Sequence, residues 1–380
     1  MRRALYIIII LLTAAIAAGA QVTSIIIPAG TPEDKATQAI SAETDGPKRL
    51  AMLQEFVQTF SANPQAVAYG NWQLSQQYLD QGDAGKALEY GEKALAMQPN
   101  NLDILVSVAG VAQRMKATDK LVDFAVRGGT AFNGITNQPK PEGMADDDFA
   151  MRMQQAQEPL RQSYEYLEAS GYNAMVAETD AKKRMGYIEP YIVAFPGSRF
   201  QELVTQLAVA TLGELKDSAR LASFAEKALA ANPNSVSMLV VLAETFAGST
   251  DPGSGARAEA YARKALNLAK GMTATAENKL QLYSGLAHSA LGQAMMKQEK
   301  TLPAIVELKT ACAELKDTPD AYAGALYRLG FAYAKTGKLV EAKATLTELI
   351  AIEGPYQKPA RDLLARVQAG PAKAPAKRGK

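Results

Sequence analysis

The feature that most constrains this chain is that it matches itself. Ala39-Ile40-Ser41-Ala42-Glu43-Thr44-Asp45 recurs as Ala174-Met175-Val176-Ala177-Glu178-Thr179-Asp180, Lys48-Arg49 recurs as Lys183-Arg184, and Phe60 as Phe195, all at an offset of 135. Glu92-Lys93-Ala94-Leu95 and the residues up to Asn100 recur as Glu226-Lys227-Ala228-Leu229 up to Asn234, at an offset of 134. Residues 39–112 and 174–246 therefore read as two copies of one unit, aligned with a single one-residue gap. Copies of one pattern demand one packing, so Phe60 and Phe195 are expected in matching buried positions.

A shorter period of about 34 residues runs inside each copy. Leu74-Ser75-x-x-Tyr78, Gly82-Asp83, Ala87, Ala94 and Pro99 fit a helix–turn–helix. So do Leu329-Gly330-x-x-Tyr333, Gly337, Ala342 and Pro355. Leu291-Gly292-x-x-Met295, Ala304 and Ala311 give a third fit. Leu242-Ala243-x-x-Phe246, Ala258 and Ala265 give a fourth, with extra residues in the turn Ser249–Gly255. Small residues at the eighth, twentieth and twenty-seventh places let two antiparallel helices approach closely, and Leu329 and Tyr333 fill the space beside them. Gly330 and Ala342 are expected to face each other. A proline near the end closes the unit. Each pair leaves an apolar face that only the next pair covers, so the pairs must stack.

These residues resemble the tetratricopeptide repeat family over most of residues 40–355. The resemblance implies an all-α fold, a right-handed superhelical solenoid of antiparallel helix pairs. Its packing residues here are Tyr78, Ala87, Ala94, Gly292, Ala304, Ala311, Leu329, Gly330, Tyr333 and Ala342. It also implies a non-catalytic scaffold for a protein or peptide partner, bound on a concave face by the first helix of each pair. Counted from Ala68, that face holds Tyr69, Trp72, Gln76, Leu79 and Asp80. Counted from Ala323, it holds Gly324, Tyr327, Phe331, Ala334 and Lys335. Trp72, Gln76, Tyr327, Phe331 and Lys335 are the candidate partner-binding residues. The two-carboxylate clamp of the family uses Lys and Asn where this chain has Trp72, Gln76, Tyr327 and Phe331, so a more apolar or mixed contact is expected.

The segments between and around the repeats divide the chain. Arg2-Arg3, an apolar run over Ala4–Ala17 and the small residues Ala18-Gly19-Ala20 form a secretory signal pattern, with cleavage expected before Gln21. Retention of residues 1–20 would instead make an inner-membrane anchor. Residues 21–127 form a first helical block and 149–248 its duplicate. Gly128–Asp148, rich in Gly, Pro and Asp, reads as a linker or long loop. Pro190 is expected to bend or end its helix. Residues 249–368 hold the last repeats and a capping helix, and 369–380 form a disordered basic tail.

Composition narrows the chemistry. One Cys and one His cannot form an internal disulfide or a Cys/His zinc cage. Without residues 1–20 the 41 basic residues fall to 39 and match the 39 acids. The tail carries Lys373, Lys377, Arg378 and Lys380 and no acid, so the body is net acidic, a poor general binder of nucleic acid. His288 and Cys312 read as structural residues, Gly248–Gly255 as a turn, and Glu43-Thr44-Asp45 with Glu178-Thr179-Asp180 as helix caps. No catalytic residue, metal site or cofactor is expected. A helical-superhelix lytic transglycosylase would need a Glu-Ser signature, and no Glu-Ser dipeptide occurs. The expected place is the periplasm or the exterior of a bacterium. An accessory or chaperone-like subunit of an envelope assembly, or an N-terminally anchored structural protein, is the alternative. A membrane is a partner only if the signal segment is retained.

Overall fold

The computed structural model describes residues 25–271 and 277–369, and the signal segment 1–20 and the basic tail 370–380 lie outside them. Among the described residues every regular element is a helix. The chain divides into two compact units at Thr211–Leu212. Each is an all-α helical-repeat solenoid of stacked pairs.

The first unit contains α1 (Pro32–Ala42), α2 (Gly46–Thr59), α3 (Pro64–Asp80), α4 (Ala84–Met97), α5 (Leu102–Arg114) and α6 (Thr118–Gly134). It continues with α7 (Asp146–Gln157), a 3-10 turn, α8 (Arg161–Ala177), α9 (Ala181–Ala194) and most of α10 (Gln201–Glu214). Each helix from α1 to α6 packs on the next, and α8 and α9 then cover α6. The second unit contains α11 (Ser218–Ala231), α12 (Val236–Gly248), α13 (Ser254–Ala269), α14 (Glu277–Lys297) and α15 (Thr301–Glu314). It ends with α16 (Pro319–Lys335), α17 (Leu339–Ile350) and the cap α18 (Gln357–Ala369). Consecutive helices pack here too, and the first helices α12, α14 and α16 also touch one another directly.

The duplication extends to single hydrogen bonds. Asp45 caps α2 by accepting from the Lys48 backbone N–H at 2.8 Å, and Asp180 caps α9 by accepting from Lys183 at 2.9 Å. Glu43 accepts from the Asp45 N–H and Glu178 from the Asp180 N–H, both at 2.9 Å. The Glu-Thr-Asp segments thus satisfy helix-terminal donors that would otherwise be orphaned. Arg49 Nε donates to Gln77 Oε1 at 2.9 Å, and Arg184 Nε donates to Thr211 Oγ1 at 2.7 Å.

The phenylalanines differ between the copies. Each follows its helix as the C-cap residue. Phe195 is 2% exposed, packed on Tyr191 and Tyr164, whereas Phe60 is half-buried and rests on Phe56. The expected match in burial is therefore corrected. Helix α6 presses on Phe195, and no described helix stands in that place beside Phe60.

Three other expectations are corrected. Gly128–Gly134 is the last part of α6, not a linker, and the connection shrinks to residues 135–145. A Cβ on Gly128 would lie 2.2 Å from Leu167 Cδ1, and one on Gly129 would lie 2.6 Å from the Ala194 carbonyl oxygen. The glycines are there because α8 and α9 come so close. Helix α9 continues through Pro190 rather than ending there. The cost of an interior proline, about 3 kcal/mol, is offset by the burial of Ile188 and Tyr191 around it, at about 1.5–3 kcal/mol for a large apolar side chain. Lastly, Gly330 opposes Leu346 rather than Ala342: a Cβ there would meet Leu346 Cδ2 at 2.8 Å. Helical side chains lean toward the N-terminus, so the residue one turn beyond Ala342 covers the glycine.

Of the expected packing residues, Tyr78, Ala87, Ala94, Gly292, Ala304, Ala311, Leu329, Gly330 and Ala342 are buried, and Tyr333 is half-buried.

Gly129→Ala tests the close approach. Alanine normally favours a helix over glycine by about 1 kcal/mol, but here the obstacle is a backbone carbonyl that cannot rotate away. The substitution is expected to lower stability by about 1–3 kcal/mol. Gly134→Ala, where a Cβ meets nothing within 4 Å, is expected to be neutral or stabilising. Denaturant unfolding of both variants checks the contrast.

Candidate partner-binding face

In the second unit the first helices form one face, and a polar contact runs across it. Arg328 on α16 donates through Nη1 to Ser289 Oγ on α14 at 2.6 Å. The same nitrogen lies 3.7 Å from Glu244 Oε1 on α12. Ser289 is fully buried, while the Glu244 and Arg328 side chains keep 35% and 22% of their exposure. Glu244 thus stands in a crowded groove that water still reaches. Desolvation pushes its carboxyl above the usual carboxylate range, and Arg328 pulls it back. Gln293 Oε1, one turn beyond Ser289, is buried without a hydrogen-bond partner.

The predicted residues of α16 are spaced along the helix by single turns. Phe331 is 48% exposed and Lys335 is exposed, one helical turn apart. Tyr327 is half-buried, with its ring 5.6 Å from that of Tyr356. Phe331 is therefore the aromatic that the face offers to solvent.

In the first unit α3, α5 and α8 carry the corresponding contacts. Gln76 Nε2 donates to Ser107 Oγ on α5. The Tyr166 hydroxyl on α8 donates to Gln113 Oε1 on α5 at 3.5 Å. Trp72 is half-buried, and its indole Nε1 is buried without a hydrogen-bond partner. A buried N–H left unpaired costs about 1–3 kcal/mol, so Trp72 is held by packing of its ring. Tyr69 meets Phe56 edge-on at 6.0 Å.

Counting along the repeat finds Phe331 and Lys335 but misses Arg328 and Glu244 as a pair. Arg328 directly follows Tyr327 and lies outside the positions counted for the face. Its signal is a lone charge in the apolar run Ala325-Leu326-Tyr327-Arg328-Leu329. Such a charge needs a partner when it is largely buried.

The remaining candidates are local. His288 Nδ1 lies 2.6 Å from Glu307 Oε2 and ties α14 to α15. Cys312 is half-buried, and burial with help from Glu348 pushes its thiol up to about 12. Among the described residues no group of three or more His, Cys, Asp or Glu could hold a metal, and no helix is long and apolar enough to cross a membrane. A cleft of about 530 Å³ on α2, α3 and α4, with Val57, Asn71 and Tyr90 in its walls, contains none of the predicted face residues.

No family model matches the sequence, and no curated protein matches it. Among solved structures, the TPR domain of P58(IPK) is similar. The two share 12% identity over 89% of this chain and 98% of that chain, with a TM-score of 0.32. The first-helix face rests on the chain's own contacts.

Burial of Glu244, opposed by Arg328, gives the face its pH behaviour. Burial raises the Glu244 pKa above the 4.5 of the free group, so the carboxyl favours the fold when protonated. That contribution is present below 4.5 and is lost as pH rises through the raised value. Arg328 opposes the shift. Arg328→Gln is therefore expected to lower Tm more at pH 7 than at about pH 4. Melting curves of variant and wild type at both pH values check the sign.

Proposed function

We propose that this chain is a non-catalytic protein-interaction scaffold, exported to the cell envelope, that captures a protein or peptide segment on the first-helix face. The observation that carries this reading is the bridge from Arg328 to Ser289 and Glu244, which ties three consecutive first helices into one surface. A surface built by three repeats suits an extended partner, which gains contacts from each. Phe331 supplies the exposed aromatic that anchors such contacts. Glu244 and Arg328 supply an acceptor and a donor beside it, which fits the mixed rather than clamp-like chemistry expected from the sequence.

Export rests on Arg2-Arg3, the apolar run and Ala18-Gly19-Ala20. N-terminal sequencing of the protein from its native cell is expected to begin at Gln21. A chain that begins at Met1 or Arg2 would make it the anchored alternative.

Phe331→Ala is expected to weaken partner capture from envelope extract by about 2 kcal/mol and to leave Tm nearly unchanged, since the ring is half exposed. Trp72→Ala, with a half-buried ring, is expected to lower Tm. Affinity and melting measured on both variants separate the two roles. Unchanged capture by Phe331→Ala would remove this face from the proposal.

A further inference from the structure

The repeat of α3 and α4 is short of one packing residue. In the register that aligns Ser75, Ala243, Gly292 and Gly330, the residue one turn earlier on the first helix is Asn71, Leu239, His288 and Leu326. Leu239 and Leu326 are buried and pack on the second helix of their own pair, against Ala265 and Leu346 respectively. Nineteen residues after His288 stands Glu307, and the 2.6 Å contact between their side chains closes the same place with a polar pair. Nineteen residues after Asn71 stands Tyr90. Asn71 and Tyr90 make no hydrogen bond with each other, and both line the cleft of about 530 Å³ on α2, α3 and α4.

Close helix contacts fix the walls of this cleft. A Cβ on Gly70 would lie 2.5 Å from Val57 Cγ2, so α2 is pressed onto α3. Ser75 Oγ donates to the Ala87 carbonyl at 2.6 Å and ties α3 to α4. A cleft formed in advance loses little freedom when it is filled. Its walls are largely apolar, with Val57, Val67, Leu74, Met97 and the ring of Tyr90. The charged residue of the lining, Lys93, is already engaged: its Nζ lies 2.7 Å from Glu89 and 4.3 Å from the centre of the Tyr90 ring. The cleft therefore suits a neutral occupant.

Asn71 supplies the directional contact. The residue is 4% exposed, and its Nδ2 donates back to the Val67 carbonyl at 2.8 Å, which fixes the carboxamide. Its Oδ1 has no hydrogen-bond partner among the described residues and is not sealed from solvent. An acceptor at the floor of an apolar cleft selects a donor carried on an apolar body, because an occupant without the donor would leave that acceptor unpaired. Indole and phenol rings have this combination. A single ring does not fill 530 Å³, and the exposed carboxamides of Gln54 and Gln58 in the lining suit the peptide groups on either side of the ring.

We propose that this cleft is a docking site for a tryptophan or tyrosine side chain in a peptide segment of a partner protein. The ring packs on the apolar walls, its N–H or O–H donates to Asn71 Oδ1, and the flanking peptide groups meet Gln54 and Gln58. The site shares no residue with the first-helix face, so neither reading depends on the other.

The test is saturation-transfer NMR on the full chain with N-acetyl-tryptophanamide, N-acetyl-tyrosinamide and N-acetyl-phenylalaninamide. The first two are expected to bind, and the third, whose ring lacks a donor, to bind about fivefold more weakly. Asn71→Leu, in the same full chain, places here the residue that Leu239 and Leu326 supply in their own repeats. It is expected to raise Tm and to abolish binding of both donor probes. No binding by wild type, equal binding of the phenylalanine probe, or unchanged binding by Asn71→Leu overturns the proposal. Methyl-labelled methionine gives a second readout that needs no folded variant beyond the wild type. The Met97 methyl signal is expected to shift under the ring current of the tryptophan probe, and an unshifted signal overturns the proposal. Free indole that binds as tightly as N-acetyl-tryptophanamide would make the cleft a small-molecule pocket and likewise overturn it.

Discussion

The close approach of paired helices at small residues is the constraint on which the rest depends. At Gly292 a Cβ would come within 2.5 Å of Leu308 and 3.2 Å of the Ala304 carbonyl, and at Gly330 within 2.8 Å of Leu346. Where helices approach this closely, any larger residue forces backbone movement, because interiors are packed as tightly as organic crystals. Gly128 and Gly129 do the same for α6 against α8 and α9. The pairs must then stack, since each buries one side of its helices and leaves another for its neighbour. The first-helix face of the second unit is a consequence: α12, α14 and α16 are brought side by side by the stacking of their pairs and by their own direct contacts.

How much is legible in the sequence depends on the kinds of interaction involved. Helix caps are local, so Asp45 and Asp180 can be read from their own neighbours, and their backbone bonds agree to within 0.1 Å. Small-residue spacing is nearly local and reveals the pairs. The glycines of α6 read as a linker because composition alone cannot tell a flexible glycine from one that receives a neighbour. Leu167 and Ala194, which need the room, lie far along the chain. Spacing alone sets Gly330 against Ala342, one turn away from Leu346, because it takes no account of the lean of helical side chains.

The turns between helices of a pair show the same limit. The residue two places before the second helix takes a left-handed conformation at Gly82, Lys116, Lys216, Glu299 and Gly337. Glycine does this freely, whereas an L-residue pays about 1–2 kcal/mol. Lys116, Lys216 and Glu299 therefore hide a regular feature from any search for glycine. A hydrogen bond at the next residue offsets their strain. Its backbone N–H returns to the first helix, as Ala117 does to Ala112 and Asp217 to Leu212. The turn is periodic in geometry where it is not periodic in sequence.

The functional reading rests on what packing leaves free. Positions that meet the neighbouring helix are fixed as Gly, Ala or Leu, and a change there disturbs the stack. Positions that point outward carry no such duty and vary from repeat to repeat: Gly85 and Ala256 in earlier second helices, Leu302 and Val340 in the last. Across the first-helix face the freedom is narrower. Arg328 is too enclosed to be left unpaired, so Ser289 and Glu244 had to be placed with it. A polar bridge of this kind costs desolvation that an apolar contact would not. Its retention beside the exposed Phe331 is the strongest structural reason to look for a partner on that face.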